Sequence, residues 1–190
     1  YRTPQSKGSF GGVSRLKTTR PRVPRATLVE WLEKEPSYTL HKPIRYKFQR
    51  RKVIVGGIDQ QFQIDLLDVS AYAQQNEGIH FLLVVIDCFS KYAWVRPIKN
   101  KTGQSVTIAF DSILKEGRQP IAIQSDKGKE FLNSRFQNYL KEKGIDFFTT
   151  ENDDIKATIV ERLNATLQVR IHRYLSANHT RRYLDVLQSI

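Results

Sequence analysis

Apolar and polar residues are spaced in two different rhythms after residue 60. "QFQIDLLDVS" alternates in twos and reads as a strand. "EGIHFLLVVIDCFSKYAWVRPIKN" reads as two strands joined by a tight turn near Phe89–Lys91. "KTGQSVTIAFDSILKEG" shifts to a helical period that begins near Thr102. A strand over 119–125 and an amphipathic helix over 129–143 follow, then the short strand "IDFFTT". The polar loop "ENDDIKAT" leads into a long helix from about Thr158 to Leu175, and "RRYLDVLQSI" reads as one more helix. On the long helix Val160, Leu163, Leu167, Ile171 and Tyr174 form an apolar stripe, with Glu161, Asn164, Ala165 and Gln168 beside it.

The chain before residue 60 obeys neither rhythm for long. Residues 1–25 are rich in Gly, Pro, Ser, Thr and bases and read as an extended arm. "ATLVEWLEKE" predicts a short helix over 26–35, ended by Pro36, and "YTLHKPIRYKFQRRKVIV" over 38–55 is strand-like. Residues 1–55 are therefore assigned to an N-terminal extension and 56–190 to a core. The order of the core, three strands and then helices alternating with strands, predicts an α/β fold with hairpins first and crossovers later. It suits a mixed five-stranded sheet of ribonuclease H type flanked by helices, with the first and fourth strands side by side.

Charge divides the chain in the same way. The net charge is +12, and residues 1–60 carry 14 Lys/Arg against four Asp/Glu. A basic segment of this kind points to a polyanion as partner, a solvated arm being the simpler alternative. No apolar run reaches the roughly 18 residues that a membrane span needs. The single cysteine, Cys88, lies in an apolar run, reads as core and excludes a Cys-based zinc site. It fits a reducing compartment. The absence of Met at position 1 is what a fragment of a longer protein would show.

Three acids stand out against this background. Asp65 lies mid-strand between Ile64 and Leu66, Asp126 follows the apolar run "PIAIQ", and Glu161 opens the long helix. Asp126 could simply cap a helix or close a turn. Side chains at the exit of a strand also sit where α/β sheets place ligands. If the three acids gather, they repel unless a cation lies between them, and oxygen-only donors suit Mg²⁺ or Mn²⁺. Asp68, Asp87 and Glu130 are the competing acids. Lys127 and Lys129 flank Gly128 in a loop that could approach a phosphate, and Asn164 could support a carboxylate, touch DNA or lie exposed.

The joint pattern resembles the catalytic core of retroviral-type integrases, the DDE polynucleotidyl transferases. Asp65, Asp126 and Glu161 match the family's acids, with 34 residues between the last two. "VVIDCFSKYAWVRPIKNKTGQSV", "QSDKGKEF" and "VERLNATL" resemble family blocks in the family's order. "YTLHKP", "KNKTG" and "SDKGKEF" are similar, more narrowly, to integrases of Maverick/Polinton transposons. The family's zinc domain has no counterpart, since residues 1–60 offer His41 and no cysteine. Ala165 and Gln168 take places where the family commonly carries bases.

The resemblance implies DNA 3′-end processing and strand transfer with two Mg²⁺ or Mn²⁺ ions held by Asp65, Asp126 and Glu161. Arg50, Arg51, Lys52, Lys127, Lys129 and Asn164 become the expected DNA contacts. Element ends and target DNA are the expected partners, a homo-oligomer on DNA the working form and the nucleus the location. The alternatives are a catalytically silent, host-adopted DNA-binding protein and a nuclease that cuts without joining.

Overall fold

The computed structural model describes residues 1–42, 53–149 and 157–190. Its helices are α1 (Val13–Thr19), α2 (Arg25–Glu33), α3 (Pro36–Thr39), α4 (Gly103–Leu114), α5 (Lys129–Leu132), α6 (Ser134–Glu142) and α7 (Thr158–Ala177). Its strands are β1 (Gln61–Asp68), β2 (Phe81–Asp87), β3 (Ala93–Ile98), β4 (Ala122–Ser125) and β5 (Asp146–Thr149). Two units emerge, one built from residues 49–164 and the other from residues 1–48 with 165–190.

The first unit carries the expected sheet, in the order β3-β2-β1-β4-β5. β1–β2 and β2–β3 pair antiparallel, and β1–β4 and β4–β5 pair parallel. Hairpins can make only the antiparallel pairs, so both parallel pairs require crossovers, which pass through α4 and through α5–α6. Alternation along β1 sends Phe62 and Ile64 into a core with Leu83, Val85, Trp94, Phe110, Ile123 and Phe136. Gln63 and Asp65 consequently point to the opposite face.

Several boundaries differ from the periodic reading. The strand expected over 119–125 starts at Ala122, because Pro120 has no N–H to offer a ladder. The helix expected over 129–143 breaks at Asn133, whose backbone is extended and whose side chain accepts from Phe136 N at 3.0 Å. Asn prefers capping to continuing a helix. The last predicted helix is a single short turn over Leu184–Val186.

The second unit corrects the reading of residues 1–25 as an extended arm. Val13–Thr19 is helical, and Phe10 and Leu16 are buried. Leu16, Leu28 and Leu32 share a small core with Tyr1, Val13, Val23 and Tyr38 packed on it. Buried Arg173 replaces lost hydration by donating from Nη1 to the Phe10 carbonyl at 2.9 Å and by lying 4.4 Å over the Tyr38 ring. The helix expected over 26–35 is present as α2, ending just before Pro36. Tyr38 and Thr39 belong to α3 rather than to a strand, and most of the remaining segment to residue 55 lies outside the described residues.

Packing between α4 and the α5–α6 junction depends on one missing side chain. A Cβ on Gly103 would stand 2.1 Å from Asn133 Oδ1, the atom that caps α6. Gly103→Ala is expected to cost about 1–3 kcal/mol through overpacking and loss of that cap. Thermal unfolding checks it, with Gly57→Ala as control, because a Cβ there meets nothing closer than 3.8 Å.

Candidate active site

Asp65 stands on the β1 face away from the main core, half-buried. Its Oδ1 accepts from Leu66 N at 2.8 Å, and its Oδ2 accepts from Asn164 Nδ2 at 2.7 Å. Asn164 is itself 8% exposed, and its Oδ1 has no partner among the described residues. The exposed amide allowed for at Asn164 is therefore not what the fold builds: Asn164 turns inward and meets Asp65 on β1.

Asp126 follows β4 directly and is exposed, with Oδ1 accepting from Gly128 N at 3.1 Å. It closes the turn as Asp often does, yet it also faces Asp65 electrostatically. The turn is tight, since a Cβ on Gly128 would meet Glu130 Cδ at 2.9 Å and Asp126 Oδ1 at 3.0 Å. Lys127 and Lys129 are exposed on either side of that glycine. Glu161 is exposed in the first turn of α7. Arg50, Arg51 and Lys52 lie outside the described residues.

These acids act on one another. Burial first, and then the charges of Asp126, Glu161 and Glu130, push the Asp65 carboxyl up from 3.8 to about 6, against the pull of the Leu66 N–H. Glu130, weighed in the sequence only as a competitor, belongs to the same electrostatic neighbourhood. Asp68 does not, because it points the other way and accepts from Ser70 N. Asp87 serves the fold, pairing with Arg118 at 2.6 Å and capping the β2–β3 turn through Phe89 N and Ser90 N.

The donors are all oxygens, the set that suits a hard divalent cation. Uncompensated negative charge around Asp65 and the unpartnered Asn164 oxygen are both conditions that such a cation would relieve. Among the described residues, no group of three or more His, Cys, Asp or Glu is drawn together tightly enough to form a metal cage. The site thus fits the ion in donor chemistry and charge without being closed around it.

Sequence reasoning passed over Gln63 and Gln124. Gln63 is fully buried and bonds to β4 and to the first turn of α7. Its residue type gave no signal in the sequence, because a polar residue between Phe62 and Ile64 is what alternation puts on the face away from the core.

A sheet of this order carrying acids on β1, after β4 and on the helix beyond β5 has counterparts. The family model "Integrase core domain" matches residues 59–153. The chain belongs to this DDE-type family of retroviral and retrotransposon integrase cores. The matched stretch contains Asp65 and Asp126 and ends before Glu161. An uncharacterized transposon-derived protein of Caenorhabditis elegans is 42% identical over 123 residues, 64% of this chain and 43% of that protein. The Pro-Pol polyprotein of simian foamy virus type 1 is 29% identical over 113 residues, 59% of this chain and 10% of the polyprotein. The integrase core thus spans less than half the length of these relatives.

Solved structures agree on the fold. The catalytic core domain of the HTLV-2 integrase, in a trimeric complex with magnesium, superposes with a TM-score of 0.56 at 21% identity. The match covers 68% of this chain and 80% of that one. The simian T-cell lymphotropic virus intasome, in complex with a PP2A regulatory subunit, gives 0.62 at 19% identity, over 93% and 62%.

The raised Asp65 carboxyl makes stability depend on pH with a defined sign. Folded Asp65 keeps its proton to about pH 6, whereas the unfolded chain releases it near 3.8. The folded state therefore binds more protons between these values and loses stability as pH rises through them. In EDTA at pH 7.5, Asp65→Asn is expected to be more stable than wild type by about 2 kcal/mol, with the two close to equal at pH 4. Denaturant melts at both pH values check this.

Proposed function

We propose that this integrase core cuts and joins DNA by phosphodiester transfer. The observation that carries the reading is the convergence of charge on Asp65 from Asp126 after β4 and Glu161 on α7. In the first reaction, water attacks a phosphodiester near the element end, breaking the P–O3′ bond and leaving a 3′-hydroxyl. In the second, that hydroxyl attacks a target phosphodiester, forming a new P–O bond and releasing the target strand's own 3′-oxygen.

Asp65, Asp126 and Glu161 are the residues that would hold Mg²⁺ or Mn²⁺. Two such ions, when bound, supply the positive charge that stabilises attacking and leaving oxygens in phosphoryl transfer. Asn164 orients the Asp65 carboxylate through Oδ2, which leaves its other lone pairs available. Lys127 and Lys129 project from the turn beside Asp126 and would meet backbone phosphates, as would Arg50, Arg51 and Lys52. Element ends and target DNA are the substrates in this reading. A homo-oligomer would bring paired ends together, and the nucleus is where the target lies. The blocks "YTLHKP", "KNKTG" and "SDKGKEF" support a transposon of Maverick/Polinton type as the source.

A second reading is a catalytically silent DNA-binding relative, favoured by the absence of a closed carboxylate cage among the described residues. A labelled terminal duplex incubated with target DNA and Mg²⁺ or Mn²⁺ separates the two. Wild type is expected to yield joined product, and Asp65→Asn, Asp126→Asn and Glu161→Gln each to lower it by about two orders of magnitude. Shortened ends without joined product would mean a nuclease. Salt-sensitive binding with neither product would mean the silent protein.

A further inference from the structure

The acid-bearing elements of this site are linked by a neutral side chain. Gln63 is 0% exposed and stands two residues before Asp65 on the same face of β1. Its Oε1 accepts from Ile159 N and from Val160 N, both at 3.0 Å. These are two of the N–H groups that the start of an α-helix leaves without an internal partner. A strand side chain, 96 and 97 positions away in sequence, therefore caps the first turn of α7. Its Nε2 donates to Gln124 Oε1 at 2.9 Å, and the same oxygen accepts from Gln61 Nε2 at 2.7 Å.

Both ends of the Gln63 amide are thus committed, which fixes its orientation. Each anchor lies one or two positions from an acid: Gln63 from Asp65, Gln124 from Asp126, and Ile159 and Val160 from Glu161. We propose that Gln63 is a positioning residue that sets the spacing of the Asp65, Asp126 and Glu161 carboxylates by clamping the start of α7 to β1 and β4. The proposal rests on the phosphodiester-transfer reading for its catalytic consequence, although the clamp itself does not.

An amide is the chemical group that this role needs. A helix start favours an acceptor, and a carboxylate would serve it, but only by adding a negative charge beside Asp65. A carboxylate would also lose the donor that reaches Gln124. Glutamine supplies acceptor and donor together and adds no charge. Its length matters as well, since asparagine falls one methylene short of the helix.

Three variants test the clamp in the whole chain. Gln63→Met keeps the volume and removes the amide, Gln63→Asn keeps the amide and removes its reach, and Gln63→Glu keeps the acceptor for the helix start and loses the donor. Hydrogen exchange at Ile159 and Val160 is expected to quicken at least about tenfold in the Met and Asn variants, for loss of a buried hydrogen bond. Exchange in the β1–β2 ladder should stay unchanged in both, and the Glu variant should keep the helix start protected. Mn²⁺ affinity of the DNA-free protein, followed by EPR, is expected to fall about tenfold in the Met variant. In joining assays kcat should fall while KM for the DNA end holds.

Wild-type exchange at Ile159 and Val160 in both the Met and Asn variants would overturn the clamp. Faster exchange with wild-type Mn²⁺ affinity and kcat would overturn the positioning role and leave Gln63 a structural cap. If Gln63→Met does not fold, as judged by circular dichroism, Gln63→Asn decides by the same readings. A wild-type protein that joins nothing would refute the phosphodiester-transfer reading, while exchange and Mn²⁺ affinity still decide the proposal.

Discussion

Acids on separate elements can form a site only if something other than their own attraction holds those elements together, because the acids repel. In this core the holding is done by buried amides. The Gln61–Gln124–Gln63 chain crosses from β1 to β4 and ends on backbone N–H groups of α7, with each hydrogen bond worth about 1 kcal/mol net. Its strength lies less in that sum than in the penalty for breaking it. A buried amide without partners costs more than its bond returns, so the network is held whole or not at all. Fold and site meet at this point, since the face of β1 that carries Gln63 also carries Asp65.

The site is a local conflict that the rest of the sheet tolerates. One face of β1 delivers Phe62 and Ile64 to an aromatic-rich core in which Phe136 lies against Phe110 and Phe131. The other face holds a partly buried acid among like charges. Favourable burial on one side of the strand offsets an unfavourable electrostatic arrangement on the other, as expected where chemistry and stability pull in opposite directions.

Much of this was legible in the chain. The five strands follow from periodicity, and the adjacency of β1 and β4 was expected from the ribonuclease H type of sheet that their order along the chain suits. Asp65 was visible as an acid between apolar strand neighbours, and Asp126 as an acid at a strand exit. What stayed hidden depends on contacts between residues far apart in sequence. Gln63 looks like any strand glutamine until Ile159 and Val160 are placed above it. Asn164 had a helical signal, four residues after Val160 and three before Leu167, but nothing in that spacing pointed to Asp65 as its partner. The helix of α1 was concealed by composition: Gly, Pro and Ser around it signal a loop, whereas Phe10 and Leu16 supply enough burial to order the segment. Asn133 offered a local signal, its capping chemistry, which the amphipathic pattern around it obscured.

Arg118 gives β4 an asymmetry. Its guanidinium pairs with Asp59 and Asp87 and lies within 6 Å of the Phe62, Tyr92 and Trp94 rings. The backbone then locks on at once, through Ile121 N to Asp59 O and Ala122 N to Gln60 O. The entry to this four-residue strand is riveted on every side, while its exit passes straight into the exposed turn of Asp126, Lys127 and Gly128. Pairing with β1 stops at Gln124 and with β5 at Ser125, so the order imposed by the sheet ends where Asp126 begins. The two aspartates therefore differ in setting: Asp126 stands one residue past the last paired position, in solvent, whereas Asp65 sits mid-strand opposite Val84.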